Sequence, residues 1–299
     1  MTVRKPGVIA LVLPFALVAS GLCTAAEPAC VAPQTFAPGV ISTEAMWEWR
    51  LALSPSRDLA LWHNSKEFLP PEPTGTILLS HRVGEGWSTP EVAPFSGKYV
   101  DFDPAFSPDG SLLFFSSKRP VNGEPRKEPD LWMVRRTADG WSAPEHLGMD
   151  VNSEDEELYP SVDNDGTLYF GSNRGGQFDV WRSHRDAAGH YGAPERLGAG
   201  VNTPDYWEFN PEISPNGKTL LFVGLNRPDG LGYGDIYVSR LRDGVFTPAK
   251  NLGPCVNSVK DDFHPTVLWP EQQLIFVRNP DEAGRNGDFN RVPLVLPAE

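Results

Sequence analysis

The sequence predicts an all-β fold built from repeated four-stranded sheets, and three observations carry the prediction. A unit recurs five times, with the equivalent positions Ser54, Ser107, Asp163, Ser214 and Leu268 standing 51 to 56 residues apart. Short runs of aliphatic and aromatic residues alternate with Pro-Asp-Gly or Asn-Asp-Gly turns, whose residues tolerate the positive φ of a tight hairpin. No stretch of the repeats has a helical period, and units of this length with four strands each are propeller blades. The expected architecture is a single five-bladed β-propeller.

Each unit divides in the same order. The first strand ends at the turn, as in "DFDPAFSPDG" (101 to 110). The second is a dense apolar run: Leu112-Leu113-Phe114-Phe115, Leu168-Tyr169-Phe170, Leu220-Leu221-Phe222-Val223 and Leu274-Ile275-Phe276-Val277. The third opens with Asp, an apolar residue and an aromatic ("DLWMV", "DVWRS", "DIYVS"), decaying to "DFNRV" at Asp288. The fourth carries an aromatic and a proline ("GWSTPE", "GWSAPE", "HYGAPE", "VFTPAK"), and the last unit stops before reaching it. Residues 32 to 42 align without a gap to residues 143 to 153, so the N-terminal segment is expected to supply the missing outer strand and cover an open sheet edge. The blades then run over 43-95, 96-148, 149-198, 199-253, and 254-296 with 29-38.

Ahead of the first blade, Arg4 and Lys5 precede an apolar run from Val8 to Leu22 and the small residues after Cys23. That pattern is a cleaved signal peptide over residues 1-26, too short for a membrane anchor. Leu22 beside Cys23 argues against a lipid-modified cysteine. The expectation is an exported chain, periplasmic or secreted, monomeric and not inserted in a membrane. Its 39 acidic residues outnumber 26 basic ones, a net charge of −13 that becomes about −15 once Arg4 and Lys5 leave. Such a surface repels phosphate backbones and excludes nucleic acid as a partner. Of the remaining cysteines, Cys30 aligns with Trp141 at the start of an outer strand and Cys255 lies on a blade crossing. That places them roughly a strand length of ~17 Å apart, beyond the reach of a disulfide, so the expectation is that they stay unbonded.

Candidate binding residues stand on the innermost strands. Six positions before each marker is a carboxylate: Glu48, Asp101, Glu157, Glu208 and Asp262. These acids should circle one mouth of the central channel, where crowding raises their pKa values and suits a cation or a bound sugar. Two positions on, Arg50, Asp103, Tyr159, Asn210 and His264 should face the same side by the strand period of two. The acids are copied from blade to blade and the second tier is not, as residues shaped for one asymmetric ligand would be. Basic residues after the second strands (Arg119, Arg174, Arg227, Arg278) should pair with the acids opening the third (Asp130, Asp179, Asp235, Asp288). Unequal loops between second and third strands open on the acid face, a usual place for recognition on a rigid scaffold.

Other motifs read as structure. "DNDG" (163 to 166) lacks the ligand spacing of a calcium loop and aligns with the hairpin turns. The six histidines show no pair at ligand spacing, and only His264 reaches the channel tier, so neither a metal nor a cofactor is expected. Trp87, Trp141, Trp132 and Trp181 sit at repeated positions and should pack between blades. Trp47, Trp49 and Trp207 flank mouth acids, where they either pack or stack on a sugar ring.

"FSPDGSLLFFSSKR", "VDNDGTLYFGSNRGGQFDVWRS" and "ISPNGKTLLFVGLNR" with the following "GYGDIYVSR" and "GVFTPAKNLG" closely resemble the WD40-like β-propeller repeat of periplasmic TolB and many exported bacterial proteins. The resemblance covers nearly the whole mature chain, with five units where the TolB propeller has six. It implies the propeller fold, and a role as a protein-docking platform in some members or in catalysis or peptidoglycan association in others. The primary expectation is a non-catalytic module that recognises an envelope protein or a glycan at the acid-lined mouth. The alternative is a glycan-processing enzyme using Asp103, Glu157 and Glu208 as base, modulator and acid, with the separation of the carboxyl groups as the discriminating feature.

Overall fold

The structure is a computed structural model that describes residues 1, 30–66, 75–279 and 287–298. The predicted signal segment beyond Met1, and most of the predicted loops 63 to 75 and 278 to 287, lie outside the described residues. The unit Val31–Glu299 is a five-bladed β-propeller of antiparallel sheets, with no helix among the described residues.

The innermost strands are Trp47–Leu53, Asp101–Phe106, Glu157–Val162, Glu208–Ile213 and Asp262–Leu268. The apolar second strands are Leu59–Ser65, Leu112–Ser117, Leu168–Ser172, Thr219–Leu225 and Gln273–Arg278. Third strands follow at Thr76–Val83, Asp130–Thr137, Asp179–Ser183, Gly234–Arg242 and Asp288–Pro293. Outer strands are short: in blade two, Gly140–Trp141 and Glu145–His146 both pair with the third strand, separated by Pro144. Proline cannot donate to a ladder, so it is confined to an edge and keeps that edge short.

The ring closes as expected. Gln34 pairs with Arg291 and Thr35 with Asn290, making the N-terminal segment the outer strand of blade five. Cys30 and Cys255 are both disulfide-bonded, which corrects the expectation that they stay free. Only Gln34–Thr35 holds the outer-strand register, so Cys30 is not bound by the alignment on which that expectation rested.

Packing follows from the period of two. On the second strand of blade two, Leu113 and Phe115 join the core shared with blade one, while Leu112 and Phe114 join the core shared with blade three. One such core fills every blade interface, including that between blades five and one, where Ile275, Val277 and Phe289 meet Trp47, Trp49 and Trp62. The aromatic of the fourth strand leans on the preceding blade: Tyr191 lies 6.2 Å from Phe114, and Phe246 lies 6.3 Å from Tyr169.

Candidate ligand-binding mouth

Every innermost strand is broken at the same place. Arg50, Asp103, Tyr159, Asn210 and His264 all have φ between 42° and 61°, and the pairing register shifts there in each blade. The cause is readable in four blades, where the next residue is Pro104, Pro160, Pro211 or Pro265. A proline in an inner strand has no N–H for the ladder, and a bulge with one left-handed residue absorbs it. This is why an acid and a proline precede the turn in "DFDPAFSPDG". The bulge also spoils the simple alternation of side chains, so the acids and the second tier do different things.

Each acid is buried and bound within its own blade. Glu157 accepts from the backbone N–H of Ser153 (2.9 Å) and the hydroxyls of Ser153 (2.6 Å) and Ser172 (2.9 Å), and pairs with Arg174 (2.8 Å). Asp101 accepts from Ser96 (2.7 Å), Ser117 (2.6 Å) and Arg119 (2.7 Å). Glu208 binds the Thr203 N–H (2.9 Å) and hydroxyl (2.8 Å) and faces Arg227 at 3.4 Å, and Asp262 binds Ser258 and Arg278 in the same way. The arginines also donate to crossing-loop carbonyls, as Arg119 does to Phe95 (3.0 Å) and Arg174 to Val151 (2.6 Å). The unit is a clamp that ties each inner strand to the crossing loop before it.

In blades two, three and four this corrects the expected pairing of the arginines with the third-strand acids. Asp130 is instead held by Arg126 and His146, Asp179 by Arg196, and Asp235 by the N–H groups of Leu231 and Gly232 and by Asn251. Arg278 ends its strand directly opposite Asp262, whereas Arg119, Arg174 and Arg227 stand two residues past the end of their second strands and fold back over the inner strand. There the guanidinium of Arg227 also covers the Tyr237 ring at 4.4 Å. Blade one lacks the arginine at this position. Among the described residues Glu48 is held by Thr43 and its Oε2 has no hydrogen-bond partner, and burial raises its pKa to about 8. Burial likewise raises Glu208 to about 7 and Asp262 to about 6. The lift comes from lost solvation rather than from crowding of the acids.

The second tier turns to the axis. Arg50, 1% exposed, crosses the channel and donates to the carbonyls of Pro265 (3.0 Å), Pro160 (3.3 Å) and Pro211 (3.3 Å), and it pairs with Glu212 (2.8 Å). It plugs the channel into two halves. On the hairpin-turn side lies a cavity of about 250 Å³ edged by Pro55, Pro108, Pro215 and Trp269. Above the plug, Asp103 is 2% exposed and has no hydrogen-bond partner for Oδ1, which lies 3.6 Å from His63 Nδ1 and 3.9 Å from His264 Nδ1. Burial lifts the Asp103 carboxyl to about 7 although Arg50 opposes the shift. The same desolvation drives His63 down to about 3 and His264 well below its usual value, so both imidazoles are neutral. The His63 Nδ1 accepts from the Asp103 N–H (3.1 Å), which puts its proton on Nε2. Asn210 Oδ1 accepts from the His264 N–H (3.2 Å), and its Nδ2 has no partner.

The opposite mouth is aromatic. A cavity of about 330 Å³ is walled by Trp49, Phe209, Phe263, Phe178, Trp207 and Tyr233, with Tyr159 and His264 contacting the Asp103 layer. Trp207 and Tyr233 are 47% and 59% exposed. None of the five clamp acids lines it, and the carboxylates that do are Glu156 and Asp261. The wall comes from positions next to the acids: Glu156, Trp207 and Asp261 precede them, and Trp49, Leu158, Phe209 and Phe263 follow them. Trp49 and Trp207 are the flanking residues expected from the sequence, whereas Leu158, Phe209 and Phe263 are not among them, although a large apolar residue after the acid recurs in all five blades. Trp47 is packed into the core, Trp49 is buried but reaches the cavity, and Trp207 stands at its edge.

No protein-family model matches the chain, and no curated protein matches it. Among solved structures it is similar to the putative TolB from Agrobacterium tumefaciens, with a TM-score of 0.53 at 17% identity over 83% of each chain. It is also similar to the native Bacillus subtilis arabinanase Arb43A, with a TM-score of 0.53 at 9% identity over 84% of this chain and 94% of that one. A third is an exo-1,5-alpha-L-arabinanase from a bovine ruminal metagenomic library, with a TM-score of 0.51 at 12% identity over 84% of this chain and 94% of that one. At such identities the likeness shows the propeller fold alone, which hosts both binders and enzymes.

Proposed function

We propose that this chain is an exported recognition module of the WD40-like repeat type that binds a protein or glycan ligand at one mouth of its propeller, without performing chemistry. The observation that carries the reading is the cavity of about 330 Å³, whose rim exposes Trp207 and Tyr233 above a buried aromatic wall. Concave, largely apolar surface with a few polar groups is the general form of a ligand site. Arg4, Lys5 and the apolar run after them support export.

The engagement of the carboxylates supports a non-catalytic role. Glycoside hydrolysis needs two free carboxyl groups about 5 to 10 Å apart beside the substrate. Glu157 and Glu208 are instead bound by hydroxyls, backbone and arginine inside their blades. The observation that favours the glycan-processing alternative is Asp103, a buried carboxyl with an unmatched oxygen and a pKa near neutrality.

A glycan-array and pull-down screen of the mature protein tests the reading when repeated with Trp207→Ala and Tyr233→Ala. Both side chains are exposed enough to be removed without disturbing the blades. The expected result is a retained ligand whose binding both variants weaken and which is recovered unaltered. Undiminished binding by both variants, or cleavage that disappears in Asp103→Asn, overturns it.

A further inference from the structure

The charge and shape of the aromatic mouth point to a narrower chemistry, which rests on the reading of that mouth as a binding site. Its lining holds two carboxylates, Glu156 and Asp261, and no lysine or arginine among the described residues. Of the groups whose charge acts on Glu156, Glu128 is a second carboxyl and Lys118 a cation, and neither lines the cavity. Arg50, below, is already committed to Glu212 and the proline carbonyls. His264, the one basic side chain in the wall, is kept neutral by burial and presents an aromatic ring 5.3 Å from Trp49 and 5.5 Å from Tyr159.

The rings form a connected wall. Tyr159 lies 5.6 Å from Phe209, Phe209 lies 6.2 Å from Phe263, and Trp207 leans on Phe178 at 5.6 Å. Aromatic faces carry negative potential and attract a cation within about 6 Å of a ring centroid, more strongly where water is excluded. Neutral apolar ligands would be served by the rings alone. Carboxylates at the edge of such a wall, on a chain of net charge −13, discriminate in favour of a positive group.

We infer that this cavity takes an alkylammonium group, held against the aromatic wall with Glu156 and Asp261 supplying the counter-charge. A lysine side chain of a protein partner and the free amine of an amino sugar both present that group. The carboxylates are lightly held: Asp261 accepts from the Gly234 N–H (3.2 Å) and from Asn279 (3.2 Å), and Glu156 accepts from Asn173 (3.3 Å) and shares a hydrogen bond with Glu128, burial and that second carboxyl raising its pKa so that an incoming cation is what favours its charged form. Each retains acceptor capacity for an N–H or a methylammonium C–H donor.

The test is calorimetric titration of the mature protein with choline and with its neutral isostere 3,3-dimethylbutan-1-ol. A lysine peptide and a glucosamine oligosaccharide follow, each against its N-acetylated form. Choline should bind about tenfold or more tightly than the neutral isostere, a difference within the reach of desolvated cation–π contact. Acetylation should abolish binding of whichever amine source binds. Glu156→Gln, which keeps the bond to Asn173, should weaken choline several-fold and leave the neutral isostere unchanged. Equal or tighter binding of the isostere overturns the inference. So does a protein or glycan ligand that depends on Trp207 while choline and both amines fail, an outcome that leaves the binding role of the mouth standing. If no probe binds and no ligand depends on Trp207, the inference and the proposed function fall together.

Discussion

Arg50 of blade one donates to the backbone carbonyls of Pro160, Pro211 and Pro265 in blades three, four and five. All five inner strands bulge at this position, four of them ahead of a proline, and the one blade with Leu51 in place of proline supplies the cation that reads three of the carbonyls. Breaking a buried pair by removing one partner leaves the other charge uncompensated. Arg50→Met should therefore lower unfolding free energy by about 3–5 kcal/mol in urea titrations, and adding Glu212→Gln should restore part of it. An Arg50→Met protein of parental stability would show that the plug is dispensable.

The acid–arginine clamp predicts a contrast between two ion pairs. Arg119 is 6% exposed, bonded to Asp101, Ser117 and the Phe95 carbonyl, and packed over the rings of Phe115 and Trp132. Arg57 pairs with Glu271 on the surface, with both side chains about a third or more exposed. Arg119→Ala should cost about 3–5 kcal/mol, and Arg57→Ala less than about 1 kcal/mol. Similar losses in the two variants, read by chemical denaturation, would contradict the clamp.

Stability should decline between about pH 6.5 and pH 8. Burial raises the folded pKa of Asp103 to about 7 and of Glu48 to about 8, so the folded chain holds protons that the unfolded chain has released. Stability falls with rising pH wherever the native state binds more protons, and Glu208 and Asp262 act in the same direction. His63 and His264 face Asp103 together with Arg50 and Tyr159, and these depressed imidazoles act in the opposite sense, an effect that is half gone at about pH 6.5 and fades by about pH 7.5 as the unfolded imidazoles finish losing their protons. Across the interval the protons held by Asp103, Glu208 and Glu48 in the folded chain outnumber those left on the unfolded imidazoles. Thermal melts should show a lower midpoint at pH 8 than at pH 6.5, with a smaller difference in Glu48→Gln. A midpoint that rises over this interval would refute the assignment.

The blades were legible because their signals are local. Turn residues at Asp109-Gly110 and Asn216-Gly217, and the run Leu112 to Phe115, fix strands and hairpins without help from distant contacts. The closure by Gln34–Thr35 was legible because a repeat with a missing strand states what must replace it. What the side chains do at the mouth was not. Period-two alternation predicts that Asp101 and Asp103 face the same way, and the left-handed bulge at Asp103 separates them, sending one into a clamp and the other to the axis. Pro104 was the sign that alternation fails there. The clamp was hidden for a second reason: Arg119 reaches Asp101 only by leaving its ladder position, which pairing rules for adjacent strands do not describe. Asn152, Asn202 and Asn257 stand in repeated Val-Asn pairs, and each binds both the N–H and the carbonyl of a third-strand residue, a structural repetition visible in the sequence but not interpretable without the crossing geometry.

The most direct test of the working surface uses tryptophans at the two ends of the channel. Trp49 and Trp207 line the aromatic mouth, and Trp269 lines the cavity beyond Arg50. Indole N–H signals, assigned by single Trp→Phe replacements and followed by NMR while choline or the retained ligand is added, report which end is occupied. The expected result is a saturable shift of Trp49 and Trp207 with Trp269 unmoved. A shift confined to Trp269 would place binding at the opposite end and contradict the account.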